Sequence, residues 1–232
     1  MATITTLGFD ADDTLWHNER IFRLTEERFA GLLGDYTGKD KLNERLVAAE
    51  RRNVLHYGYG VKGFTLSMIE TAIEVTDGQV HADVIAEILE AGRDMLNHPV
   101  EPLPYVEETL KAVKDDYRLV LITKGDLFDQ ERKIAASGLD IYFDAIEIVS
   151  EKTAATYEIL FARHGTGAQE AMMIGNSLKS DILPAVKAGA QAAHVPYEIT
   201  WALEEAQAPE ETERYHRVDH IGKLPLLLAR LS

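Results

Sequence analysis

The sequence predicts an α/β protein, a parallel sheet covered on both faces by helices and interrupted after its first strand by an inserted all-helical domain. Three observations carry this expectation. A short apolar run, Ile4, Leu7 and Phe9, ends abruptly at Asp10, Asp12 and Asp13. Purely helical periodicity then continues to about Pro99, and from there strand-like and helix-like segments alternate to the end of the chain.

The first strand is followed by Phe22, Phe29 and Leu33, then Leu42, Leu46 and Ala49, then Leu66, Ile69 and Ile73, then Val84, Ile88, Ala91 and Met95, each set at helical spacing. Turn-forming breaks fall at 34–38, 58–63 and 77–78, so four amphipathic helices are expected. A helical block of this length far exceeds a simple crossover between parallel strands, which defines 17–98 as an inserted domain and 1–16 with 99–232 as the core. Pro99, Pro102 and Pro104 mark the return, with Pro expected in the first turn of a helix through Val106, Leu110 and Val113. Strands are expected at 119–122, 145–149, 172–174 and 192–195, with helices at 127–137, 153–164 and 178–188, three of them followed by Gly138, Gly165 and Gly189. Met172 and Met173 are assigned to strand core. The segment 201–217 is acidic and aperiodic, reading as plain surface or as a homodimer contact, and Leu224, Leu227, Leu228 and Leu231 suggest a closing helix.

Composition bounds the function. The 232 residues are 46% hydrophobic and 27% charged, ordinary for a globular protein with a sizeable core. No apolar run approaches the roughly 20 residues that span a bilayer. The N-terminus has no basic region followed by a hydrophobic stretch, so a soluble, cytoplasmic protein is expected. The absence of cysteine excludes thiolate catalysis and disulfides. A formal net charge of −15 argues against nucleic acid and anionic membranes as partners. It also means that an anionic substrate must be drawn by local cations, either a metal or particular lysines.

The candidate chemistry lies at the strand ends, where ligands of parallel sheets bind. Three acids crowded after a buried strand repel one another unless a divalent cation intervenes. Asp10 and Asp12, two apart in extended chain, can face one point, one as nucleophile and the other as general acid/base. After the 119–122 strand come Thr123, Lys124, Gly125 and Asp126. A hydroxyl, a close-approach glycine and free helix-start amides suit a phosphoryl group, although Thr and Asp are also ordinary helix caps. After 145–149, Lys152 can neutralise a phosphate and the nucleophile together. After 172–174, Gly175, Asn176, Ser177, Ser180 and Asp181 form an oxygen-rich turn, and Asp181 can complete a site of the kind Mg²⁺ prefers. His81, His98, His164, His194, His216 and His220 show no zinc-like spacing and are expected at the surface or in packing.

These four stretches resemble the motifs of the haloacid dehalogenase superfamily. Asp10 to Thr14 resembles its first motif, Thr123 the second, Lys152 the third, and Gly175 through Asp181 the fourth, with the insert placed like the family's cap. The resemblance implies a Rossmann-like core with a helical cap and a Mg²⁺-dependent phosphatase. By it, Asp10 attacks phosphorus and forms an aspartyl phosphate, and Asp12 protonates the leaving alkoxide and then activates water. Asp10, the backbone carbonyl of Asp12 and Asp181 hold Mg²⁺, while Thr123 and Lys152 hold the phosphoryl oxygens. The acid at Asp12 disfavours dehalogenation, since a halide leaves without a proton. The chain departs from the family in having Asn176 where Asp is common, where Asn can position Lys152 or a metal-bound water. It departs again at Lys124, where Asn is common, and Lys124 is expected either at the phosphate or cap interface or in solvent.

Substrate choice is expected in the insert, at His56 to Phe64, where Tyr59 and neighbouring aromatics form either a stacking surface or cap core and Lys62 a second anion contact. The expected partner is a small phosphorylated metabolite, a nucleoside monophosphate or a sugar phosphate. Two alternatives stand beside hydrolysis: a phosphosugar mutase using the same acids, and a catalytically retired binding protein. A phosphate-accepting receiver domain shares the acidic cluster, Thr and Lys but is shorter and lacks the insert.

Overall fold

The structure, a computed structural model, describes residues 3–209 and 212–231. The first two residues of the N-terminus, two positions within the 201–217 segment, and residue 232 lie outside the described residues. In chain order the elements begin with β1 (Thr6–Phe9), α1 (Glu19–Leu32), α2 (Lys39–Tyr57), α3 (Val61–Val75), α4 (Ala82–Asn97), α5 (Val106–Val113) and β2 (Arg118–Lys124). They continue with α6 (Leu127–Ser137), β3 (Ala145–Val149), α7 (Ala154–His164), β4 (Ala171–Gly175), α8 (Leu183–Lys187), β5 (Gln191–His194), β6 (Tyr215–Arg217) and α9 (Leu224–Leu231). Among the described residues no helix is long and apolar enough to cross a membrane.

Two compact units emerge, one of Met1–His17, Val100–Lys124 and Gln130–Ser232, the other of Asn18–Pro99 and Gly125–Asp129. The first is the α/β unit. Its strands run parallel in the order β3-β2-β1-β4-β5-β6. Alternation along each strand sends side chains to two cores. Leu119, Leu121, Met172 and Ile174 pack with Val106, Leu110, Ile134, Leu224 and Leu228, under α5, α6 and α9. Val120, Ile122, Ala171 and Met173 face the other way, against Tyr157, Phe161 and Ala185 of α7 and α8. Met172 and Met173 are thus both core, on opposite faces. Because β1 is flanked by β2 on one side and β4 on the other, the chain reverses its direction of travel there, and a crevice opens at the carboxyl ends. Where the chain leaves and re-enters this unit, the two crossings are stitched together by Leu103 N to Leu15 O at 2.9 Å and His17 N to Glu101 O at 3.1 Å.

The structure differs from the sequence expectations in four places. β2 runs on to Thr123 and Lys124 because these pair with Ile148 and Val149 of β3, so both are strand residues. The expected helix at 178–188 opens as a π-helical turn, Leu178–Ile182, before α8. Pro104 stands outside α5, whose start is made by Tyr105 in the left-handed region with φ 69°. The acidic segment is not wholly surface, since β6 arises within it, paired with β5 through Ala192 and Tyr215. Three residues are too few to show a period.

The second unit contains α1 to α4 around Phe29, Leu33, Leu42, Leu46, Phe64, Met68, Ala72, Ile88 and Met95. Its second break closes at Gly60, whose φ of 108° few other residues adopt, and Gly63 already lies inside α3. The sequence assigned 17–98 to this unit, but Gly125–Asp129 belongs to it as well. The physical reason is local: Lys62 Nζ binds both oxygens of Asp126 at 2.9 and 3.0 Å and lies 5.6 Å from the Phe128 ring centroid. Lys62, expected as an anion contact, is therefore already engaged by a carboxylate.

Gly8 sits mid-sheet, where a Cβ would meet Ile122, Met173 and Phe161 at 3.0–3.1 Å. Gly8→Val is expected to destabilise the protein by about 1–3 kcal/mol through overpacking. Urea unfolding measures this, and an unchanged midpoint would show that the layer over β1 yields.

Candidate active site

The centre of the site is Lys152, 4% exposed, which arrives after β3 and is held in place by the start of α7. The Thr153 side chain caps that helix in a capping box with Thr156, fixing where the preceding lysine points. Lys152 Nζ donates to Asp10 Oδ1 and, at 2.8 Å, to Asp181 Oδ1. One ammonium thus joins residues that follow three different strands. Asp10 Oδ2 accepts from Thr14 Oγ1 at 3.0 Å, and Asp181 Oδ2 accepts from Ser177 N at 2.9 Å. A tight turn after β1 delivers these groups: Leu15 N bonds Ala11 O at 2.8 Å, and Asp13 takes the left-handed conformation with φ 61°, which Asp tolerates better than most residues. Gly175 ends β4 because a Cβ there would fall within 2.6 Å of the Asp181 Cβ.

Charge in this triad is unbalanced. Burial, and then the Asp181 carboxylate, push the Asp10 carboxyl up to about 7, against the opposing pull of Lys152. Lys152 itself is held protonated: desolvation works against its charge, but Asp10 and Asp181 outweigh it. Two buried carboxyl groups thus share one ammonium.

Asp12 faces elsewhere. Its carboxylate accepts from Lys133 Nζ at 2.6 and 2.7 Å, from Gln130 Nε2 at 2.8 Å and from Trp16 Nε1 at 2.8 Å. Desolvation works to raise its pKa, but the Lys133 charge and these hydrogen bonds prevail and hold it below the usual carboxylate range. Asp10 and Asp12, expected to converge on one point, are thus each clamped by a different lysine. Gln130 and Lys133 went unnoticed in the sequence. Their only signal is an i, i+3 spacing that puts both on one face of α6.

Thr123 is buried at the end of β2, on the same sheet edge as Asp10. Asn176, expected to position Lys152 or a metal-bound water, bonds Thr14: its backbone N donates to Thr14 Oγ1 at 3.0 Å, and its Oδ1 lies 3.2 Å from the same hydroxyl. Asn176 O accepts from His194 Nε2 at 3.0 Å, and desolvation of that imidazole lowers its pKa. Lys124, expected at the phosphate or cap interface, is turned to Glu204 Oε1 at 2.6 Å and Ser180 Oγ at 2.8 Å. Glu204 comes from the stretch in which the sequence offered no pattern. Burial alone would raise its pKa, yet Lys124, with Ser177 and Ser180, brings it below the usual range.

The Asp10 shift has a pH signature. Its folded pKa lies above the ordinary 3.8, so the folded state binds a proton that the unfolded chain has released. The contribution of Asp10 to stability therefore falls as pH rises from about 4 to about 7 and stays low beyond. In chelator, Asp10→Asn is expected to raise Tm by on the order of 5 °C at pH 8, with the gain shrinking toward pH 4. Thermal unfolding across that range tests it, and a pH-independent difference would refute the imbalance.

The family comparison agrees with this geometry. The model of the haloacid dehalogenase-like hydrolase family matches residues 4–189. A glyceraldehyde 3-phosphate phosphatase of Methanothermobacter thermautotrophicus is 32% identical over 109 residues, 44% of this chain and 48% of the relative. An N-acylneuraminate-9-phosphatase of Mus musculus is 28% identical over 134 residues, 55% of this chain and 52% of the relative. The matches thus span about half the length of these curated relatives. A haloacid dehalogenase-like family hydrolase of Xanthomonas campestris superposes with a TM-score of 0.89 at 39% identity, covering 100% of this chain and 97% of that one. The chain belongs to the haloacid dehalogenase-like hydrolase family.

Proposed function

We propose that this protein is a Mg²⁺-dependent phosphatase that hydrolyses small phosphate monoesters, with Asp10 as nucleophile. The observation that carries it is the pair of separately clamped acids, Asp10 on Lys152 and Thr14, and Asp12 on Lys133. In the first step Asp10 forms a bond to phosphorus, the ester P–O bond breaks, and the leaving oxygen takes the proton of a protonated Asp12, which becomes a carboxylate. In the second, the Asp12 carboxylate removes a proton from water, which attacks phosphorus and frees Asp10 and inorganic phosphate. The ionised state in which Lys133 holds Asp12 suits this second step.

The donor chemistry supports a bound cation. Asp10 and Asp181 set two carboxyl groups against the single ammonium of Lys152 where an anionic ester must enter. Among the described residues no three acidic or histidine side chains cluster as a metal cage. Asp10, Asp181 and the backbone carbonyl of Asp12 would hold Mg²⁺, a sparse set that leaves positions for water and phosphate, as that ion favours. When bound it would neutralise phosphoryl charge. Thr123, buried at the sheet edge beside Asp10, would donate to a phosphoryl oxygen. The names of the two phosphatase relatives favour a sugar phosphate over a nucleoside monophosphate as substrate.

A panel of sugar phosphates, nucleotides and an aryl phosphate, assayed for phosphate release with Mg²⁺ or EDTA, tests the reading. Turnover is expected to vanish with EDTA and to fall more than about 1000-fold in Asp10→Asn. Absence of turnover on every ester by folded, Mg²⁺-supplied protein would overturn it. Lys133→Met is expected to move the acidic limb of the kcat–pH profile to higher pH, because Asp12 loses the charge that keeps it ionised. An unmoved limb would take Asp12 out of the base role.

A further inference from the structure

Glu204 is a partly buried carboxylate that the proposed chemistry does not use. It lies outside every helix and strand, 23 residues beyond the loop it grips and far from the four motif stretches in sequence. Its Oε2 accepts from Ser177 Oγ and from Ser180 Oγ, each at 2.5 Å, and its Oε1 accepts from Lys124 Nζ at 2.6 Å. The two serines bracket the turn that carries Asp181. Ser177 N donates to Asp181 Oδ2, and Ser177 Oγ also accepts from Ser180 N at 3.0 Å, closing the π-helical turn on itself. Lys124 Nζ also donates to Ser180 Oγ at 2.8 Å, so the same carboxylate fastens this turn to the end of β2 beside Thr123. Lys179 Nζ reaches back to Leu203 O at 2.5 Å, a second tie between the turn and the segment bearing Glu204.

A π-helical turn is an uncommon conformation that needs outside support. We propose that Glu204 is a positioning residue that holds the Ser177–Asp181 turn in the geometry presenting Asp181 to a metal, and that it neutralises Lys124 so that this lysine takes no part in phosphate binding. For its consequences the inference rests on the phosphatase reading, but the positioning itself does not. Residues that orient metal ligands typically change metal affinity by about 10–100-fold when removed.

The test compares full-length wild type with Glu204→Ala and Glu204→Gln. In metal-free protein, hydrogen exchange at the Ser177, Ser180 and Asp181 amides is expected to accelerate in Glu204→Ala, with the sheet amides unchanged. Calorimetric titration with Mg²⁺ is expected to weaken by about 10–100-fold, and the Mg²⁺ concentration for half-maximal activity to rise in parallel while kcat at saturating Mg²⁺ stays within about threefold. Glu204→Gln, which keeps an acceptor for the serines and the shape of the side chain, is expected to retain most of the exchange protection. With the Glu204 charge gone, Lys124, which keeps the more exposed Glu151 at 3.5 Å, should then lower KM for a phosphate dianion, a change that Lys124→Met in the same background removes. Unchanged exchange and Mg²⁺ affinity in a folded Glu204→Ala would overturn the inference. If Glu204→Ala does not fold, an unaltered KM in Glu204→Gln would overturn the Lys124 part, and full Mg²⁺ affinity with lost amide protection would overturn the metal part. Lost protection in Glu204→Ala, beside a wild type that neither binds Mg²⁺ nor releases phosphate, would instead refute the phosphatase reading and leave the positioning standing.

Discussion

Everything in the α/β unit converges on a buried lysine between two buried carboxylates. Lys152 is 4% exposed, and so are its partners or nearly so, with Asp10 at 6% and Asp181 at 1%. Desolvating three charges is costly, and such a cluster is poor evidence for stability. The fold tolerates it because each charge is satisfied by more than its neighbour: Thr14 on Asp10, the Ser177 amide on Asp181, and the Thr153 capping box that fixes the approach of Lys152. The sheet order makes the convergence possible. With β1 between β2 and β4, residues 142 apart in sequence come to one edge.

The other lysines of the site follow the same rule. Lys133 neutralises Asp12, and Lys124 neutralises Glu204. Each of these three lysines is paired with a carboxylate, in a chain that is strongly acidic as a whole. In the proposed mechanism a bound cation adds to the attraction of an anionic ester, at a site where burial first, and then the Asp181 carboxylate, hold the Asp10 carboxyl up. The division between Asp10 and Asp12 is of the same kind as other paired acids whose environments push them apart, one toward protonation and one away from it.

Much of this was legible from the residues. The helices of the insert, the alternation from α5 onward and the placement of Asp10, Thr123, Lys152 and Asp181 at strand ends follow from periodicity and local turn chemistry, which act over a few residues. β6 was not legible, since three residues carry no period and its strand character comes from pairing with β5. The fifth segment of the helical unit, Gly125–Asp129, escaped for a similar reason, because what binds it there is the Lys62–Asp126 pair between residues 64 apart in sequence.

The sequence by itself determined the fold class, the two-part organisation and the identity of the acids and lysine at the centre, because apolar spacing and strand-end chemistry are written in neighbouring residues. Only the tertiary structure decided which charge meets which. That Asp12 belongs to Lys133, Asn176 to Thr14 and Lys124 to Glu204 depends on distances between segments that sequence order does not encode. In a low-dielectric site those pairings, more than the list of residues, set which groups are charged and hence what chemistry they can do.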